Sequence, residues 1–293
     1  MSRLRLVILL TLIASIPIMA VANLAVGATG TGRHPLAAKA EEGFFATLNG
    51  DPKARTAPLR DLMTAYAVSP DDARVNLLLG LNHLWLAAEG DMTNPTTIDR
   101  LILAEHFLAR AQKLDPSDRR IPSWLTPVRL SLAGIHQEKD KREESFRDLQ
   151  AAYAEDPNFH SFTLALLSVS SDPKSPEFQR GLAALRATTG DCAGFEDPSC
   201  ENRPRWPHNR EAFITFFADY ELKAGNVDRA RELLIQTQQD PDYPRWRFKN
   251  EVEDRLKNLE TYAALYTNAD PGDDPPHLMV NGGFMCQSCH SGP

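Results

Sequence analysis

Prolines divide this chain into helical stretches, and that punctuation limits its fold more than any other feature. Apolar and small residues recur at helical spacing, and each run stops close to a proline. Ala65 stands five residues before Pro70, Ala104, Leu108 and Ala111 lead to Pro116, Leu149 and Ala152 to Pro157, and Ala230 and Leu234 to Pro241. Proline lacks an N–H and clashes with the preceding turn, so it ends a helix or starts the next. The steps between these prolines are 46, 41 and 84 residues, the last close to two repeats of the shorter step. Long alternating Val, Ile and Thr runs are absent, which argues against a sheet. The expected fold is all-α, a solenoid of helical hairpins with an irregular C-terminal tail.

Particular residues sharpen this expectation. Tyr220, Gly225, Ala230 and Leu234 read as one helix–turn–helix unit, with Gly225 free to take the positive φ wanted at the turn. One last helix is expected from about Arg247 to Tyr266, with Val252, Leu256, Leu259, Ala263 and Tyr266 on one stripe. At its repeats the body resembles the tetratricopeptide-repeat proteins. Ala104, Leu108, Ala111 and Pro116 match the closing pattern of that repeat, and Leu79-Gly80 falls where a first helix carries its Leu-Gly pair. The resemblance implies an extended surface on which protein partners dock. Units longer than the usual 34 or so residues, and the interruption over Thr188–Pro207, make these divergent repeats.

The start of the chain bears on compartment. Arg3 and Arg5 precede an apolar run from Leu6 through Ala20, followed by the small-x-small site Ala20-Val21-Ala22. This pattern predicts a signal peptide over 1–22 and a periplasmic or otherwise exported body. A membrane attachment is expected only if the segment is retained as an anchor, since weakly apolar residues continue to Ala28. Loss of Arg3 and Arg5 takes the formal charge from -7 to -9. Such an acidic body disfavours nucleic acid and anionic lipid as partners. Residues 23–43 read as a linker, 44–268 as the helical array and 269–293 as the tail. The run from Asn268 to Pro276 holds three prolines, one glycine and three aspartates, and is expected to be extended and loosely packed.

The tail holds the only stretch that specifies chemistry. Cys286-Gln287-Ser288-Cys289-His290 has the Cys-x-x-Cys-His form of a c-type haem attachment site. Two thiols at this spacing bond the two vinyl groups of one haem, and the adjacent imidazole meets the iron from one face. Over these five residues alone the chain looks like a c-type cytochrome. The resemblance implies one covalent haem c, held by Cys286, Cys289 and His290, and electron transfer with a redox partner protein. Met279, seven residues before Cys286, is the expected second iron ligand, with Gly282-Gly283 supplying the return bend. His277 reaches as well, and an iron left open or completed by a partner is the other alternative. Zinc held by Cys286, Cys289, His290 and His277 is a competing reading, and a simple disulfide another. Under either, the chain is a non-redox assembly scaffold.

The remaining cysteines, Cys192 and Cys200, enclose a Gly- and Pro-containing loop and read as a local disulfide in an oxidising compartment. His83, His106, His136, His160 and His208 lack ligand-spaced partners, and Trp124, Trp206 and Trp246 read as packing between helices. No phosphate-cradling glycine loop, nucleophile elbow or placeable carboxylate pair is present, so an electron carrier or scaffold is expected rather than an enzyme.

Overall fold

A computed structural model describes residues 35–48, 57–88, 90, 94–191, 210–268 and 272–275. The fold is all-α. The described helices, in order, are α1 (Pro35–Leu48), α2 (Ala57–Val68), α3 (Ala73–Ala88), α4 (Pro95–Leu114), α5 (Ile121–Ile135) and α6 (Lys139–Glu155). After these come α7 (Pro157–Ser168), α8 (Pro176–Asp191), α9 (Arg210–Lys223) and α10 (Val227–Gln238). A 3-10 turn (Tyr243–Arg245) then leads to α11 (Lys249–Lys257) and α12 (Leu259–Thr267). No strand occurs among the described residues.

The prolines act as the sequence predicts. α2, α4 and α10 end shortly before Pro70, Pro116 and Pro241, while Pro157 is the first residue of α7 directly after α6. Pro95 likewise opens α4, where Asn94 accepts the Thr96 N–H and caps the first turn. Proline suits that position because its missing N–H has no intrahelical partner to lose. Gly225 takes φ 82° between α9 and α10, as expected.

Packing follows chain order. Successive helices pack as antiparallel neighbours, α1 on α2, α3 on α4, α5 on α6, α7 on α8 and α9 on α10, and helices α1, α3, α5 and α7 also touch in succession. α3 and α4 approach closely: a Cβ added at Gly80 would lie 2.6 Å from Leu108 Cγ and 3.0 Å from the Leu108 backbone nitrogen. Ala104, Leu108 and Ala111 are fully buried against this face. Two large apolar clusters result, one drawn from α1–α5 and one from α7 to α12.

Between the clusters lies a polar seam. Ser123 of α5 places its Oγ 2.6 Å from His160 Nδ1 of α7, with both residues buried. Pro127, inside α5, cannot donate to the Ser123 carbonyl four residues earlier. That freed carbonyl accepts instead from Thr163 Oγ1 at 3.5 Å.

Three expectations are corrected. α1 begins at Pro35, inside the stretch 23–43 read as linker, because Ala37, Ala40 and Phe44 form a buried stripe whose small side chains give a weak periodic signal. The single last helix is two. Asn258 leaves helical geometry at φ -112° and ψ 22°, its side-chain amide donates to Asp254 Oδ1 at 2.8 Å, and its carbonyl accepts the Tyr262 N–H. The third concerns the tail, where Asp274 and Pro275 pack against the array rather than standing free.

Candidate functional site

The tail folds back onto α9. Beyond Thr267, Asn268 donates its side-chain amide to both carboxylate oxygens of Asp273, at 3.0 and 3.1 Å. Asp274 then accepts a hydrogen bond from Lys223 Nζ at 2.9 Å, and Pro275 is buried. Lys223 is in the last turn of α9, and its side chain is only 5 % exposed. An ammonium so buried is costly to desolvate unless paired, and the Asp274 carboxylate supplies the pair. The negative end of the α9 dipole favours the same cation.

α9 carries a second buried pair. Arg255 of α11 grips Asp219 of α9 through Nε and Nη2, at 2.6 and 3.0 Å. Tyr266 of α12 lies nearby, and burial, then the Asp219 carboxylate, pushes its phenol well above the usual range. Burial and a hydrogen bond with Asp254 push Tyr262 up to about 12. Both phenols therefore stay neutral at ordinary pH.

The residues read from sequence as ligands, Cys286, Cys289, His290, Met279 and His277, lie outside the described residues, as do Cys192, Cys200, His208 and Trp206. Among the described residues no three His, Cys, Asp or Glu side chains come together as a metal site. His83 is buried, stacks on Phe107 and meets Arg100 Nη1 at 3.1 Å. Burial and the Arg100 charge lower its pKa to about 4, so it stays neutral. His160 is spoken for by Ser123, and its pKa is lowered by burial. Although a hydroxyl 2.6 Å from an imidazole is a nucleophile–base arrangement in distance, Ser123 is 6 % and His160 0 % exposed, which shuts out a substrate. Trp246 packs with Tyr243 and Phe248 in the C-terminal cluster, and Trp124 sets its edge against Phe159, as the packing reading expects.

A groove of about 500 Å³ opens between α4, α5 and α6. Ile102, Leu132 and Ala133 contribute apolar surface, and Glu105, Arg129 and Lys141 the charges. Arg129 is engaged by Glu105 at 3.3 Å, and Lys141 by Glu138 at 2.8 Å. The Glu138 hydrogen bond raises the Lys141 pKa. With both cations answered by neighbouring carboxylates, the groove offers shape and mixed polarity, with His136 and Glu144 also on its lining.

Neither the seam nor the docked tail was legible beforehand. A lysine in an amphipathic helix and an aspartate in a proline-rich run carry no signal of their 51-residue pairing. No family model matches this chain, and no curated protein matches it.

Proposed function

We propose that this is an exported, tetratricopeptide-like helical array that carries one covalent haem c on its C-terminal tail and takes part in electron transfer within or towards a protein complex. The observation that carries the reading is the sequence Cys286-Gln287-Ser288-Cys289-His290. The donor set suits the group: two thiols for thioether bonds and an adjoining imidazole for the iron. When bound, haem supplies one-electron redox chemistry that no side chain offers.

The rest of the chain supports the reading in two ways. The basic and apolar start, with Ala20-Val21-Ala22, fits delivery to a compartment where haem is attached. Chain-order packing of helices, with Gly80 admitting Leu108 at a close crossing, fits an array whose role is protein contact. Lys223 of α9 pairs with Asp274 of the tail, which ties the tail's start to the array.

The test is expression with a cytochrome c maturation system, followed by haem staining of a denaturing gel. Covalent haem that is lost in Cys286→Ala and Cys289→Ala is the expected result. A haem-negative protein with both cysteines intact overturns the reading, and stoichiometric zinc in that protein would favour the scaffold alternative.

A further inference from the structure

We infer that the groove between α4, α5 and α6 is a docking site for a basic, amphipathic segment of a partner protein, which sets an apolar side chain against Ile102 and lysine or arginine side chains against the carboxylates of the rim. This gives the array a partner chemistry; it rests on the protein-contact part of the reading above and not on the haem.

The groove has an apolar base and a mixed rim. Leu132, Ala133 and Ser145 are buried at its base, Ile102 and Glu105 come from α4, and Glu138, Lys141 and Glu144 come from the start of α6. At about 500 Å³ it lies within the range of roughly 300–1,000 Å³ of sites that hold a ligand of a few side chains' bulk. A lone exposed aliphatic side chain is ordinary, but Ile102, 47 % exposed, stands in a concavity. Its neighbours Leu101 and Ala104 are already buried in the N-terminal cluster, so Ile102 belongs to a different surface of α4. Covering it gains about 25 cal/mol per Å² of apolar area removed from water.

The turn between α5 and α6 sets this shape in advance. Glu138 N–H donates to the Ala133 carbonyl at 2.8 Å and Gln137 N–H to that of Gly134 at 3.3 Å, with Gln137 at φ 58°. This pair of bonds closes a helix and fixes the direction in which the chain leaves it. Glu138 also receives Lys141 Nζ at 2.8 Å. A site whose walls are already held costs a ligand less ordering than one that must form around it.

Charge selects the occupant. Arg129 lies 3.3 Å from Glu105 and 3.8 Å from Asp148, while Lys141 has Glu138 beside it and also feels the Glu105 and Glu144 charges. Four carboxylates, Glu105, Glu138, Glu144 and Asp148, thus surround two cations, Arg129 and Lys141, and negative charge is in excess. An acidic segment would meet two cations that are already paired. A basic one meets the excess, and the net charge of -7 on the chain draws it in from farther away. A second copy of the chain brings that same acidic charge and is the poorer fit.

The test uses the full chain and three short fluorescein-labelled peptides, one of leucine and lysine, one of leucine and glutamate, and one of serine and lysine, read by fluorescence anisotropy. The leucine–lysine peptide should bind several-fold more tightly than either of the others. Binding should fall several-fold in the double variant Ile102→Ser, Glu144→Gln, both at exposed positions, with circular dichroism unchanged. The control pair Glu232→Gln, Glu260→Gln removes two exposed carboxylates outside the groove and should leave binding as it was. A photo-leucine version of the peptide should place its cross-links, mapped by mass spectrometry, within residues 95–155. Equal weakening in the control pair, equal binding of the serine–lysine peptide, or cross-links elsewhere on the chain overturns the inference. So does a concentration-dependent dimer that is lost in Ile102→Ser, which would give the groove to a second copy. Haem staining is read separately: a haem-negative protein sinks the electron-transfer reading and leaves the peptide result standing.

Discussion

Arg255 and Asp219 face each other as a two-pronged pair, Nε to Oδ1 at 2.6 Å and Nη2 to Oδ2 at 3.0 Å, with side chains 3 % and 1 % exposed. The pair joins α11 to α9 across the C-terminal cluster. Removing one member strands the other as a buried charge, so Asp219→Leu and Arg255→Leu should each cost about 3–5 kcal/mol. The double variant should lose clearly less than the sum of the two. Urea unfolding of the four proteins measures this, and simple additivity would show that the pair is not coupled.

Stability should fall as pH rises through neutrality because of Glu211. This residue is 3 % exposed, and its Oε1 finds no hydrogen-bond partner among the described residues. Burial pushes its pKa up to about 7, its own backbone N–H opposes, and the Asp240 and Asp242 carboxylates push the same way as burial. The folded state therefore holds this proton more tightly than the unfolded chain. The contribution is complete below about pH 4.5 and disappears as pH rises through about 7, for a change of up to roughly 3 kcal/mol. Urea midpoints at pH 5 and pH 8 should differ more in the parent than in Glu211→Gln. An equal pH dependence in the variant would assign the effect to other groups.

The crossing of α3 and α4 predicts a conditional cost. Gly80→Ala drives a methyl into Leu108 and its backbone nitrogen, and should destabilise by about 1–3 kcal/mol. Leu108→Ala, which empties a fully buried site, should cost about 2–5 kcal/mol alone. In the Leu108→Ala background Gly80→Ala should cost less, read as a smaller drop in Tm.

These three sites differ in how far the sequence disclosed them. Leu79-Gly80 with Ala104, Leu108 and Ala111 was legible, because small residues at helical spacing before a proline have few other uses. Gly225 was legible for a similar reason: a glycine between two helical runs marks the left-handed turn, here at φ 82°. The break at Asn258 was not, since the stripe from Val252 to Tyr266 runs on across it and only the Asp254–Asn258 side-chain bond reveals the change of direction. Pairs distant in sequence, Arg255 with Asp219 and Lys223 with Asp274, leave no periodic trace at all. For the ligand residues, spacing in sequence is the whole of the argument, because Cys286 to His290 lie outside the described residues.

Truncation now has a different expected outcome from that of a loosely packed tail. A chain ending at residue 276 keeps Asp274 and should unfold like the full-length protein. One ending at residue 269 removes Asp274 and the buried Pro275 and should lose about 1–3 kcal/mol. Equal thermal stability of the two truncations would show that the Lys223–Asp274 pair contributes nothing.

The iron ligand read from sequence is open to optical spectroscopy. Met279 coordination predicts a methionine-to-iron charge-transfer band in the oxidised holoprotein that vanishes in Met279→Ala and persists in His277→Ala. A high-spin spectrum unchanged by either substitution would mean that this chain leaves the second axial position open.

The tail clamp also imposes an order of events. Contacts between adjacent hairpins join residues close along the chain and form by short loop closures. Lys223 and Asp274 are 51 residues apart, and α10, the 3-10 turn, α11 and α12 all lie between them. The carboxylate is therefore delivered to the ammonium only after the last helices have packed, and in synthesis from the N-terminus it emerges after all of them. The ion pair works as a completion latch. Before it closes, Lys223 stands on an unfinished array. Afterwards its ammonium is paired on a folded one, and the last helices are held in place behind it.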